Sequence, residues 1–96
     1  MNAQQVAAAR EHLTKTVNMA REEALVLRKR AESKDSEAGV ASADHAIELT
    51  EKLAELLADT KISRVSVEAR HHRNEEARIM LRDCVRQLRE TAMSLD

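Results

Sequence analysis

The chain contains no aromatic residue and no proline, and Gly39 is its only glycine. Aromatic rings normally fill the centre of a domain core because each buries a large area. A core in this chain is therefore built from aliphatic side chains and alanine. Turns and strands also lose the residues that favour them, whereas the abundant alanine, leucine, arginine and glutamate favour helices. We expect an all-α protein.

The length of 96 residues predicts a single helical domain over residues 1–96. Its aliphatic core is thin, because sixteen of the apolar residues are alanine and bury little surface. A small domain buries a smaller fraction of its surface than a large one and often gains stability by association. We therefore expect a homo-oligomer, most simply a homodimer.

Charge and cysteine content point to an ordinary cytoplasmic protein. The net charge is −1, which gives no overall attraction to nucleic acid or to an anionic membrane. Cys84 is the only cysteine, so an internal disulfide is excluded and a reducing compartment is expected. The sequence shows no secretory signal, no membrane-spanning run and no glycine-rich phosphate loop, and we expect neither a cofactor nor enzymatic activity.

The first segment predicts one helix over about residues 3–33. Apolar and small residues recur in it at helical spacing, at Ala3, Val6, Leu13, Val17, Ala20, Ala24, Leu27 and Ala31. From Leu13 onward the steps alternate four and three, which is a heptad pattern. Arg10 interrupts this seam, and Met19 and Val26 are expected to lie beside it and widen it.

Turn-forming residues cluster only in residues 33–42, where we place the first reversal. Serine and aspartate here can cap a helix, and Gly39 can take a left-handed conformation. A second helix is predicted over about residues 42–60. It carries two apolar seams, which predict contacts with two neighbours at once. The seams consist of Ala46, Leu49, Leu53 and Leu56, and of Ala43, Ile47, Ala54 and Leu57.

A third helix is predicted over about residues 62–95. Its C-terminal half carries a heptad run formed by Leu81, Val85, Leu88, Ala92 and Leu95. An earlier run through Ile62, Val65 and Ala69 is out of phase with it. The intervening residues 71–76 are all polar, and we expect them to be the most weakly packed part of the chain.

The second reversal is less clearly marked, because residues 58–63 contain neither glycine nor proline. One helix continuous from about 42 to 95 would give a long helical hairpin. We favour an antiparallel three-helix bundle with coiled-coil packing, since half of so long a helix would have no partner within one monomer. Charge supports this order: residues 35–59 carry seven acidic and one basic side chain, whereas both flanking segments are net positive.

One cluster has the residue types of a metal site, namely Glu68, His71, His72, Glu75 and Glu76. On a helix, side chains four residues apart share a face. The spacing of Glu68 and His71 resembles one half of a ferritin-like dimetal site, but those folds use two such motifs and further carboxylates. We favour a solvated polar patch stabilised by Glu/His pairs.

Four arginines form a stripe on the third helix, at Arg78, Arg82, Arg86 and Arg89. Together with Arg28, Lys29, Arg30 and Lys34 they could bind phosphates. Acidic residues are interleaved with these arginines, however, and no aromatic side chain is available to stack on bases. We favour a solvated face, or a strip paired with the acidic middle helix, over nucleic-acid binding.

The function that these patterns favour is protein–protein interaction, as an adaptor, assembly factor or chaperone-like subunit. We expect the partner-binding residues to be seam positions exposed in a monomer, with arginines at the rim. They are Leu81, Arg82, Val85, Arg86, Leu88 and Leu95. We expect Cys84 to be buried as a small apolar residue.

The thin core predicts self-association. Sedimentation equilibrium at micromolar concentration should give about twice the chain mass, because packing against a second copy buries apolar surface that one copy leaves in water. A monomer with a cooperative melting transition would show that one chain suffices.

Overall fold

The computed structural model describes residues 2–58 and 66–96, which form three helices. They are α1 (Ala3–Ser33), α2 (Glu37–Ala58) and α3 (Val67–Leu95). α2 begins before the predicted residue 42, and α3 lies within the predicted range 62–95. The second reversal, predicted at 58–63, lies outside the described residues apart from Ala58, where α2 ends.

The first reversal is shorter than the predicted stretch 33–42. The amide of Ser36 donates to the carbonyl of Ala31 (2.9 Å), and that of Asp35 donates to Glu32 (3.1 Å). These two bonds form the Schellman arrangement that ends many helices. Its left-handed residue is Asp35, with φ of 53°, because a short polar side chain tolerates this region better than most. The expectation that Gly39 takes this role is wrong.

Gly39 instead lies inside α2, where it allows two helices and a side chain to approach closely. Ser36 caps α2 by accepting a hydrogen bond from the Gly39 amide (3.0 Å). A Cβ on Gly39 would lie 2.9 Å from Cβ of Ala31 and 3.0 Å from Cδ2 of Leu95. Only glycine fits this position without a shift of α1 or α3.

The three helices pack against one another in an up-down-up order, and the prediction of an all-α three-helix bundle is confirmed. Near the start of α1, Arg10 reaches the last carbonyls of α2 and Asn74 of α3. At the other end, Arg30 of α1 pairs with Asp96, which follows α3. α1 and α3 are therefore parallel, and α2 runs antiparallel to both. A single long helix is excluded, since α3 folds back on α2.

The buried positions of each helix recur at alternating steps of three and four. α2 contacts both other helices, as predicted, and its fully buried stripe consists of Gly39, Ala43, Ala46, Thr50, Leu53 and Leu57. Of the remaining predicted seam residues, Ile47, Leu49 and Leu56 are half-buried against the core, and Ala54 is exposed. In α3 the stripe passes through Cys84 and Thr91, whereas the predicted seam residues Val85 and Ala92 are only half-buried. Small polar side chains can occupy buried positions of the stripes because the hydroxyl or thiol of each donates a hydrogen bond to a nearby backbone carbonyl. Thr50 donates to Ile47 (2.7 Å), and Thr91 donates to Gln87 (2.8 Å).

α1 buries the predicted seam except for Ala3, which is exposed. Met19 and Val26 do not widen it, since their side chains are 68% and 64% exposed. They lie on the outer surface because the seam already faces both neighbouring helices. The bundle thus leaves large apolar side chains in water along α1.

Leu53 is fully buried at the centre of α2. Leu53→Ala should lower the free energy of unfolding by ~2–5 kcal/mol, because it removes buried methyl groups and leaves a cavity between three helices. Urea unfolding of both proteins measures this change. Leu25→Ala is the matched control, since Leu25 is 44% exposed, and its loss should be much smaller. Equal losses for the two variants would contradict the central placement of Leu53.

Candidate functional site

A groove runs along the surface between α1 and α3, and we call it the arginine groove. It is lined by Thr16, Arg78, Leu81, Arg82, Val85, Arg86 and Arg89. Thr16 belongs to α1 and the other residues belong to α3. Leu81 is buried beneath the groove, Val85 is half-buried, and the four arginine side chains are exposed. The stripe predicted from the sequence therefore exists, and it faces solvent.

Two of the four arginines are paired within their own helix. Arg78 binds Glu75 (2.9 Å), and Arg86 lies 3.4 Å from Asp83. The hydrogen bonds from Arg78 lower the pKa of the Glu75 carboxyl. These pairs are exposed, and each contributes little to stability.

The other two arginines, Arg82 and Arg89, have no carboxylate three or four residues away in either direction. The structure supplies none from α1 or α2 either: within residues 2–58 and 66–96 neither guanidinium forms an ion pair. The alternative that the acidic middle helix neutralises the stripe is not what the structure shows. α2 pairs its acids with α1, through Arg28 to Asp44 (2.6 Å) and Arg21 to Glu51 (3.9 Å).

The exposed side chains of Met19 and Val26 lie on the face of α1 that carries Thr16 and Arg30. Thr16 lines the groove, and Arg30, two heptads further along α1, pairs with Asp96 at the end of α3. Met19 and Val26 lie between these two points on the same face of α1, since 16, 19, 23, 26 and 30 are spaced by three and four. They therefore face the α3 side of the outer surface.

Three of the six predicted partner-binding residues are not available to a partner. Leu81, Leu88 and Leu95 are only 7%, 3% and 4% exposed and belong to the bundle core. The expectation that they are exposed in a monomer is wrong, because α3 packs on both α1 and α2 and buries these seam leucines within one chain. Arg82 and Arg86 are exposed and Val85 is half-buried, so these three remain at the surface.

The basic residues near the end of α1 do not extend the groove into a phosphate-binding surface. Arg28 binds Asp44 and Glu32, and Arg30 binds Asp96. Lys34 donates to the carbonyl of Leu95 at the C-terminus of α3, where a cation is favourable. These three cations are committed to contacts within the bundle.

The Glu/His cluster is spread over the surface of α3. Glu68, His72 and Glu76 are exposed, whereas His71 and Glu75 are half-buried. His72 lies 3.2 Å from Glu76, a pair that stabilises a helix, and Glu75 is bound by Arg78. Across residues 2–58 and 66–96, no three histidine, cysteine or acidic side chains are grouped as a metal would require.

Residues 71–76 hold a buried polar contact that their sequence does not reveal. Asn74 is only 3% exposed and continues the buried stripe of α3. Its amide donates to the carbonyl of Val6 (3.1 Å), and its oxygen accepts from Arg10 (3.2 Å). A polar residue thus begins the buried stripe that continues through Leu81 and Leu88, and the expectation that this stretch is the weakest-packed part of the chain is wrong. Ile62 and Val65 of the earlier predicted run lie outside the described residues.

Arg10 occupies a seam position of α1, as Asn74 does in α3, and it caps the C-terminus of α2. Its guanidinium donates to the carbonyls of Leu56 (2.7 Å) and Leu57 (2.9 Å), as well as to Asn74. These are among the last carbonyls of α2, which have no partner within the helix. A cation at this end also interacts favourably with the helix dipole. Arg10 thus ties the three helices together.

Cys84 is fully buried, as predicted. Its thiol lies 3.7 Å from the carbonyl of Ala46 in α2. Burial raises the pKa of the thiol above its ordinary value, so the reactive thiolate is disfavoured at neutral pH. Cys84 packs as a small core residue.

No family model, curated protein or solved structure matches this chain. Among the helices described, none is long and apolar enough to cross a bilayer.

Arg10 and Asn74 should be energetically coupled. Arg10→Met leaves two α2 carbonyls and the Asn74 oxygen without their donor, and Asn74→Leu removes the acceptor of Arg10. Each change should lower the free energy of unfolding by ~1–3 kcal/mol. Urea unfolding of both single variants and the double variant should give a coupling energy of ~0.5–3 kcal/mol. Additive losses would show that the two side chains act independently.

Proposed function

We propose that this protein is a non-enzymatic adaptor or assembly module that binds another protein through the surface between α1 and α3. The arrangement that supports this proposal is the position of exposed Met19 and Val26 on the same face of α1 as Thr16, which lines the arginine groove. Methionine and arginine are enriched at protein interfaces relative to the rest of a surface. Large apolar side chains that cluster in water are also typical of interaction sites.

The chemically reactive groups of the chain support a binding role. The thiol of Cys84 is buried and held protonated, and the carboxylate of Glu75 is bound by Arg78. The single cysteine and the charge balance favour a cytoplasmic setting. Self-association remains a prediction of this proposal. Because Leu81, Leu88 and Leu95 are buried within one chain, a dimer would have to form through other apolar side chains.

Substitution of Val26 should weaken capture of the partner. Val26 and Leu25 are neighbours on α1, but Leu25 lies on the α2 side, between Arg21 and Arg28, which pair with α2. Val26→Ser removes apolar area from the proposed interface, whereas Leu25→Ser removes it elsewhere. Loss of one well-packed interface side chain costs ~1 kcal/mol or more, or about fivefold in affinity.

The two variants and the wild-type protein are immobilised and exposed to an extract of the source cells, and retained proteins are quantified by mass spectrometry. At least one protein should be retained by wild type and by Leu25→Ser and depleted several-fold on Val26→Ser. Equal retention on both variants would place the binding surface elsewhere. The absence of any selectively retained protein would contradict the proposed function.

A further inference from the structure

Two heptad-spaced rows of side chains run side by side along the groove. On α1 the row is Thr16, Met19, Glu23, Val26 and Arg30, and on α3 it is Arg78, Arg82, Val85, Arg89 and Ala92. Steps of three and four keep each row on one helix face. The rows are adjacent at one end, where Thr16 and the arginines line the same groove, and at the other, where Arg30 pairs with Asp96. Two parallel helices that present adjacent heptad rows form the acceptor for a further helix.

The four arginines that line the groove carry charge that contacts within the described residues balance only in part. Arg78, Arg82 and Arg86 follow one another at steps of four, and Arg89 follows three residues later. Like charges at these spacings destabilise a helix. Arg78 and Arg86 are relieved by Glu75 and Asp83. Arg82 and Arg89 have no such partner in the described parts of the chain, and both are exposed at the groove.

We propose that the groove binds an acidic amphipathic helix of another protein, which packs between α1 and α3 as a fourth helix of the bundle. This inference rests on the proposed function. Arg82 and Arg89 are seven residues apart, or about 10.5 Å along the helix. A partner helix with carboxylates one heptad apart would pair with both. Aliphatic side chains between those carboxylates would contact Val85 of α3 and Met19 and Val26 of α1.

Charge and symmetry argue against a second copy of this chain as the occupant. The net-negative helix that a second copy offers is α2, which carries five acidic residues and one lysine, whereas α1 and α3 are net positive. α2 lies on the opposite side of the bundle from the groove between α1 and α3. Contact between α2 of one copy and the groove of the next joins two different surfaces and does not close into a dimer. Two grooves face to face would bring their arginines together. A separate acidic chain meets neither difficulty.

The probe is a synthetic peptide of about three heptads, with leucine along one face and glutamate flanking it. Three heptads suffice for measurable helix formation once the peptide is bound. A peptide with lysine at every glutamate position controls for apolar contact alone. A DNA duplex of about 20 base pairs tests phosphate binding. Binding of each labelled probe to the full-length protein is followed by fluorescence anisotropy.

The decisive variant is Arg82→Glu/Arg89→Glu, and its control is Lys29→Glu/Lys52→Glu. Both variants change the net charge equally, and all four positions are exposed. Neither Lys29 nor Lys52 lines the groove. Circular dichroism confirms that both variants remain folded. We expect the acidic peptide to bind wild type and the control, to bind the groove variant at least tenfold more weakly, and to bind less tightly as salt is raised.

Three outcomes would overturn the proposal. They are absence of binding by the acidic peptide, equal loss of affinity in both double variants, and tighter binding of the duplex than of the acidic peptide with the same dependence on Arg82 and Arg89. The proposed function is tested separately by the capture experiment, in which the absence of any selectively retained protein would contradict it. A cell protein that is retained by wild type and lost on Val26→Ser, together with an acidic peptide that does not bind, would leave a protein-binding module whose partner is not an acidic helix.

Discussion

The close approach of three helices over small side chains is the constraint on which this bundle depends. Without aromatic rings, no side chain is large enough to fill a wide space between helices. The helices therefore meet across alanines and one glycine, and a Cβ on Gly39 would lie only 2.9 Å from Cβ of Ala31 and 3.0 Å from Cδ2 of Leu95. Close approach compensates for small side chains, because the attraction of each atom pair falls steeply with distance and closely spaced helices bring many backbone and side-chain atoms into contact. It also explains why one chain buries a continuous stripe on every helix.

In such close packing an unsatisfied polar group is unfavourable, and the buried polar side chains of the stripes, Thr50, Asn74 and Thr91, each donate a hydrogen bond to a backbone carbonyl. Thr50 and Thr91 bond to carbonyls of their own helices, so they occupy the stripe much as valine would. Arg10 and Asn74 are larger, and they lie near the end of α2, where free carbonyls are available. Their position fixes the register of α1 and α3 against the last turn of α2. A shift of one heptad would separate Arg10 from every one of these acceptors, and buried donors without acceptors are strongly unfavourable.

Each helix can be predicted from the sequence to the extent that apolar residues occupy its buried positions. α1 was predictable because apolar residues fill nearly every seam position from Leu13 to Ala31. The buried stripe of α3 is harder to predict from the sequence. Asn74, Cys84 and Thr91 belong to the stripe but are not typical core residues, and Val85 and Ala92 form an alternative stripe one residue away.

The sequence pattern predicts a turn at Gly39 because glycine is common in turns, whereas its role in the structure is close packing. The exposure of Leu81, Leu88 and Leu95 was mispredicted because spacing within one helix does not show how many neighbours that helix has. The prediction that Arg82 and Arg86 are exposed is confirmed, since charged side chains at successive turns seldom face a core.

The choice of basic residue on α3 adds to the argument for a carboxylate-bearing partner. Every basic side chain between Val67 and Leu95, histidines aside, is arginine, and lysine is confined to other parts of the chain. Solubility alone would be served as well by lysine. Arginine differs in having a planar fork of donors, which matches a carboxylate in a bidentate pair and loses less of its hydration when it is covered. Its long apolar stem can also lie against Val85 and a partner's aliphatic side chains while the guanidinium stays at the rim. A groove with arginine at its edges and aliphatic side chains beside them is thus suited to a helix that carries both chemistries, and the same folding that buries the leucine seam of α3 leaves this second row of α3 facing outward.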